Sequence, residues 1–283
     1  MALDELNERA AALLRGAIDV HVHAAPDPYA ERRMDALQLV RAAHEAGMAG
    51  LVLKSHEYPT QPLAWLLDAE FDDLAVYGAL ALDHAVGGLN PDAVEVSLRI
   101  GAKVIWMPTF DSQHWRGYRP QQVHSAQPGI TVLDGDELLP VCHTILDLIA
   151  EHDSVLATGH LSTEETLALT AAARERSIRT VVTHASMWIA TEAQQRLAAL
   201  GAYIEQCATV TLGSDGDEVR AQIVEQVRAV GPEHVVLSTD LGQAHNPDPP
   251  LGFGQWIEAM LDAGFDDAEV GRMVRENPAA LLG

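Results

Sequence analysis

Short apolar, β-branched runs alternate along the chain with longer stretches whose apolar residues recur every three or four positions. The first run is GAIDVHVH, 16–23. A helix is predicted over 35–47, where Ala36, Leu37, Val40 and Ala43 share one face and Gly47 supplies the stop. AGLVLKSH (49–56), LAVYGALALD (74–83) and KVIWMPTF (103–110) read as the next three strands, separated by helices near 61–70 and 91–100. The rhythm then breaks. Residues 111–139 are polar, aromatic and punctuated by Gly and Pro, and Asp134-Gly135 marks a turn, so a long insertion with a small hairpin is predicted there. Beyond it follow helix 140–152, strand 154–160, helix 163–177, strand 179–184, helix 191–201, strand 202–210, helix 218–230, strand 234–240 and closing helices within 251–282. Ahead of the first strand, Leu3, Leu6, Ala10, Leu13 and Leu14 mark a short amphipathic helix with early acids rather than a secretory signal.

Eight strand–helix units predict a parallel sheet with helical crossovers, and eight such units close a (β/α)8 TIM barrel, here one domain over 1–283 with an insertion after strand four. An open doubly wound sheet would carry a Gly-rich phosphate turn after its first strand; this chain has His21-Val22-His23 there.

Composition narrows the partners. The 283 residues carry 41 acids against 18 bases, a net charge of -23, which argues against nucleic acid, since phosphate binding needs clustered Lys and Arg. No apolar run reaches the ~18 residues of a membrane span. Two cysteines, Cys142 and Cys207, are too few for a disulfide framework, so a cytoplasmic location is expected. The partner expected is a small-molecule substrate, and a homo-oligomer is left open.

Histidine placement points to chemistry. Five of the 13 histidines, His21, His23, His56, His160 and His184, fall at the carboxyl ends of predicted strands, and Asp240 ends the eighth. Barrel active sites are built at that end. Strand alternation puts Ile18, Val20 and Val22 toward the helices and Asp19, His21 and His23 toward the barrel interior. The same alternation directs Lys54 with His56, Thr158 with His160, Val182 with His184, and Ser238 with Asp240 inward. Converging imidazoles would repel if protonated and be costly to bury unpaired; a bound cation resolves both. Lys54 is one of only two lysines in an otherwise Arg-based chain. Its placement suggests chemistry that Arg cannot do, with an ion pair to Asp19 as the structural alternative.

Asp-Val-His-Val-His (19–23), Thr-Gly-His (158–160), Thr-His-Ala-Ser (183–186), Ser-Thr-Asp (238–240) and the closing Glu-Asn-Pro-Ala-Ala-Leu-Leu-Gly (276–283) together resemble the amidohydrolase superfamily, in a branch with Lys-Ser-His (54–56) on strand two. The resemblance implies a metal-dependent hydrolase. It makes His21, His23, His160 and Asp240 ligands of a divalent metal, zinc first, with manganese, iron, nickel or cobalt as alternatives. His184 would be a further ligand with two metals, or touch the attacking water with one. Strand four ends in Trp106-Met107-Pro108-Thr109, without the bridging Lys or Glu of two-metal members, which favours one ion. Asp240 is then the proton shuttle, and His184 or Lys54 polarises the scissile carbonyl. The expected reaction is hydrolysis of an amide, cyclic amide or lactone of a small, anionic metabolite. A metal-dependent decarboxylase or other lyase of the same superfamily, or a phosphoesterase, is the alternative. Candidate substrate contacts are His56, Arg32 and Arg33 of the first loop, and His114 and Arg116 of the insertion, which also carries Trp115, Tyr118 and Arg119. Glu205 and Cys207 share one face of strand seven, with Cys207 expected in the core.

Overall fold

A computed structural model describes residues 5–283. Eight parallel strands follow one another around a nearly closed barrel. They are β1 (Ile18–His23), β2 (Gly50–Lys54), β3 (Ala75–Ala81), β4 (Ala102–Trp106), β7 (Val155–Ala157), β8 (Thr180–Val182), β9 (Tyr203–Cys207) and β10 (Val235–Ser238). The seam between β10 and β1 is stitched only at its carboxyl end, where Val22 pairs with Leu241 and the Asp240 N–H donates to the His21 carbonyl at 2.7 Å. Every strand predicted from the sequence is present, each shorter than its apolar run; in all but β1, which keeps His23, the last residues leave the ladder to build the mouth of the barrel.

The crossover helices are amphipathic, and three of them carry a side-chain cap at the amino end. Asp35 caps α2 (Ala36–Glu45) and Ser162 caps α7 (Thr163–Glu175), each closing a reciprocal capping box. Between the helices and the barrel lie two apolar clusters, one with Leu51, Leu53, Val182, Ile204, Val235 and Leu237 among its strand residues and one with Leu80, Ile105 and Leu156. A separate layer fills the barrel interior: Val20, Val52, Ala79, Val104, Val155, Val181 and Val236, joined by Leu281 and Leu282 of the closing helix α12 (Asn277–Leu282). The insertion folds as α5 (Gln113–Tyr118) and the hairpin β5 (Leu133–Asp134) and β6 (Glu137–Leu138), turning at Gly135-Asp136. Of the predicted N-terminal helix, Glu8–Leu14 is helical with Ala10, Leu13 and Leu14 buried; Leu3 lies outside the described residues.

Candidate active site

Simple alternation does not bring the site together. In β1 the register slips between Asp19 and Val22, so Val20 joins the barrel interior while Val22 packs against the helices. A bulge of this kind re-aims the residues after it. His21 and His23 both still reach the mouth, but the expectation that Val20 faces the helices is corrected. In β8 the interior residue is Val181, and Val182 packs toward the helices, again opposite to a strict two-residue period from His184. In β7, Ala157 is interior and Thr158 accepts the Thr183 N–H of the next strand. What aims the later residues is a left-handed turn at each strand end: Gly159 at φ 62°, His184 at 50° and Asp240 at 52°. Non-glycine residues in that region are costly unless the surroundings over-determine them. Here the His184 N–H is held by Glu205 Oε2 at 3.1 Å and the Asp240 N–H by the His21 carbonyl.

Asp240 is the centre of the cluster. Its Oδ1 lies 3.2 Å from His21 Nε2 and 3.0 Å from His23 Nε2, and Oδ2 lies 3.8 Å from His184 Nε2. Behind His21, Glu205 receives Nδ1 at 3.1 Å and the Ser238 hydroxyl at 2.9 Å. Behind His184, Nδ1 meets Cys207 Sγ at 3.2 Å. His160 is buried among the rings of Trp115, Phe110 and His184, and neither of its nitrogens has a partner among the described residues. Lys54 does not pair with Asp19. Its Nζ sits 2.9 Å from His21 Nε2 and 5.3 Å from the centre of the Trp106 ring, beneath the cavity floor. Asp19 instead ties the seam of the barrel, receiving the Thr239 N–H at 3.0 Å and its hydroxyl at 2.5 Å.

Burial dominates the titration of the cluster. It pushes His23 down to about 3, helped by Arg32, and His184 down to about 4 against the pull of Asp240. His160 and His56 are driven well below their ordinary value by the same burial, and Lys54 is lowered. Burial would raise Asp240 and Glu205, but the imidazoles of His21 and His184 outweigh it, holding Asp240 far below the usual carboxylate range and Glu205 at about 2. Burial and Lys54 pull His21 down, but Glu205 and Asp240 outweigh them and raise it above its ordinary value, so the other imidazoles are neutral around an ion-paired His21 and an ionised Asp240.

That donor set fits a divalent cation. Ligand atoms of His21, His23 and Asp240 lie within 4.8 Å of one another, as do those of His21, His184, Glu205 and Cys207. A carboxylate on His21 Nδ1 leaves the Nε2 lone pair free for an ion, the usual outer support of a ligating histidine. The orphaned nitrogens of His160 are a second sign of an unmet partner. Two groups resist: the Lys54 ammonium on His21, and Arg32, whose Nη2 lies 3.5 Å from His23 Nδ1.

Over this floor opens a cavity of about 540 Å³, with His23, His160, His184 and Asp240 in its lining. Of the predicted substrate contacts, Arg32 and His56 line it, although Arg32 is forked onto Asp27 at 2.6 and 2.8 Å. Arg33 turns away to Asp248, Arg116 is pinned to Asp111, and His114 lines a separate surface depression beside Tyr118. Arg119, His124 and His245 line the cavity instead. Arg119 has no carboxylate within ion-pair distance among the described residues, and its guanidinium rests 5.2 Å from the Tyr118 ring centre. His124 and His245 come from irregular loops, where no periodicity could have pointed to them.

The chain belongs to the family of unknown function DUF6282, whose model matches residues 16–205. No curated protein matches its sequence. Among solved structures, it is similar to an amidohydrolase from Pseudomonas aeruginosa, at 11% identity and a TM-score of 0.68, covering 96% of this chain and 98% of that one. A probable 2-pyrone-4,6-dicarboxylic acid hydrolase from Acinetobacter baumannii with citric acid bound matches at 14% identity and a TM-score of 0.61, over 95% and 99% of the two chains. A 2,6-dihydroxybenzoate decarboxylase from Rhizobium matches at 13% identity and a TM-score of 0.58, over 95% and 98%. The likeness to these structures is one of fold and spans the whole barrel.

Proposed function

We propose that this member of the family is a metal-dependent hydrolase. Its site takes one divalent cation, zinc first among the candidates, at His21, His23 and Asp240 with His160 and His184 beside them. The substrate is a small anionic metabolite with an amide, cyclic amide or lactone bond. The observation that carries this reading is the Asp240 carboxylate, ionised, turned left-handed into the barrel mouth and shared by the Nε2 atoms of two histidines.

Bound there, the cation supplies Lewis acidity and lowers the pKa of a water toward ~7. The chain's own residues do the rest. Asp240 takes a proton from the attacking water and returns it to the leaving group as the C–N or C–O bond breaks, while the water's oxygen and second hydrogen stay with the new carboxyl group, whose proton passes to the freed amine or to solvent. Glu205 holds the His21 ring in one tautomer and orientation. His184 borders the cavity beside Asp240, placed to donate toward a developing oxyanion. Arg119, free of carboxylate partners among the described residues, meets the substrate's own carboxylate. Met187, Val210 and Leu212 form an apolar wall that limits the water around the reacting bond. The bound citric acid and the pyrone dicarboxylate named for the Acinetobacter relative are small polyanions of the kind this arrangement suits.

Asp240→Asn tests the assignment. It keeps an oxygen for the cation but cannot accept a proton, so turnover is expected to fall by roughly two to four powers of ten with a smaller loss of bound metal. Near wild-type turnover would end Asp240's role. Purified protein without transition metal, and without a gain in melting temperature on adding zinc or manganese, would end the metal reading, and release of CO2 in place of hydrolysis would move the reaction to a lyase.

A further inference from the structure

The imidazole of His56 is clamped between two rings, stacked 3.9 Å from Phe110 and 5.0 Å from His23. Its two nitrogens meet unlike surroundings. Nδ1 lies 2.6 Å from the Thr109 hydroxyl. Nε2 forms no hydrogen bond among the described residues, and His56 lines the cavity above the metal cluster.

The Thr109 hydroxyl has one proton to give, and it donates to Asp83 Oδ2. Asp83 is already an acceptor on its other oxygen, receiving the backbone N–H of Thr109 at 2.8 Å and of Asp111 at 3.0 Å. Burial raises Asp83 to about 6, so at pH 7 and above it is a carboxylate ringed by three donors and offers none in return. Toward His56, therefore, Thr109 presents only a lone pair, and Nδ1 must carry the hydrogen. A neutral ring has one N–H, so Nε2 is left as a bare acceptor.

We propose that Asp83 and Thr109 lock His56 in the Nδ1–H tautomer, making its Nε2 a fixed acceptor that selects substrates bringing an N–H donor, as an amide or cyclic amide does and a lactone does not. His56 is then a specificity-determining residue, and Thr109 and Asp83 are positioning residues. The inference rests on the hydrolase reading and narrows it to C–N bonds. An acceptor buried without a donor is penalised, so a ligand with ring oxygen at that point should bind about tenfold more weakly than its N–H counterpart.

Replacing Asp83 with Asn makes an inverse prediction. The Asn carbonyl would keep the two backbone N–H groups, leaving its NH2 against Thr109. The hydroxyl would then receive from Asn and donate to Nδ1, moving the His56 hydrogen to Nε2. Two-bond nitrogen–proton spectra of the full chain with isotope-labelled histidine read this directly, with His56→Gln identifying the signal. Expected are a bare Nε2 in the wild type and in Thr109→Ser, a protonated Nε2 in Asp83→Asn, and a tautomer mixture in Thr109→Val. Calorimetry on zinc-loaded protein then compares pyroglutamate with the matching γ-lactone acid, in which oxygen replaces N–H. Preference for pyroglutamate in the wild type, lost in Asp83→Asn, supports the proposal. A protonated Nε2 in the wild type, equal affinity for the pair, or binding of neither overturns it. None of these outcomes depends on turnover, and failure of the hydrolase reading would show separately as absence of bound metal.

Discussion

Lys54 is the residue whose environment most constrains how the centre works. A buried ammonium needs counter-charge, and here Asp240 and Glu205 supply it while burial pulls its pKa down. Its contact with His21 Nε2 puts a proton-bearing cation on the lone pair a metal would use. Removing it should therefore favour the ion. Lys54→Met is expected to bind zinc at least as tightly as the wild type, measured by competition with a chromophoric chelator on refilled protein. Loss of zinc in this variant, restored by short-chain carboxylates, would show instead that the lysine ligates as a carbamate. Lys54→Arg should weaken zinc binding, since guanidinium keeps its charge under all conditions and is too broad for the space beside Trp106.

At the scale of elements, the strand ends carry the function, and their kinks are the weak points. A Cβ on Gly159 would stand 2.3 Å from the Met107 carbonyl oxygen and 2.6 Å from that of Pro108, in a left-handed backbone at φ 62°. Gly159→Ala combines that collision with left-handed strain of roughly 1–3 kcal/mol. It should lower the melting temperature by several degrees and displace His160. Gly201→Ala is the control, because its φ of 92° imposes strain with no neighbour within 4 Å. Equal, small losses in the two variants would show that close backbone approach at Gly159 does not matter. These kinks also mark where the sequence stops being informative. The repeating strand–helix rhythm made the barrel legible, and alternation correctly sent Lys54 inward because β2 is regular. Alternation failed at Val20 and Val182 because a bulge and left-handed residues reset it, and nothing in the side-chain pattern announces either. His184 and Asp240 are read from strand ends and parity together, and what aims them is the left-handed backbone at each. Arg119 lies in the insertion that the sequence singled out, whereas His124 and His245 reach the cavity through loops whose paths depend on contacts distant in sequence.

For the whole molecule, the burial of neutral imidazoles links folding to pH. His23 and His184 have folded values of about 3 and about 4, below the ordinary imidazole value of 6.5, and His56 and His160 shift the same way. The unfolded chain therefore binds protons that the folded one refuses. Stability from these groups is complete above about pH 6.5 and is lost as pH falls toward the folded values. Glu205, at about 2 against 4.5, adds a further loss below about pH 4.5. Asp19 and Asp83, raised to about 7 and about 6 by burial, work in the opposite sense, costing stability as pH rises through that range. Acidification also relaxes the self-repulsion of a chain with net charge -23. The imidazole contribution is thus best isolated as a difference. In metal-free protein, His160→Gln and His184→Gln should each flatten the fall in melting temperature between pH 7 and pH 4, because each removes a group that must be charged on unfolding. Zinc should steepen it, since its ligands bind only when deprotonated, so the gain in melting temperature from zinc at pH 7 should vanish near pH 5. Parallel curves for wild type and both variants would mean that the cluster is not buried as neutral imidazole. A zinc-induced gain that survives unchanged at pH 5 would mean that the ion is held by groups other than these histidines.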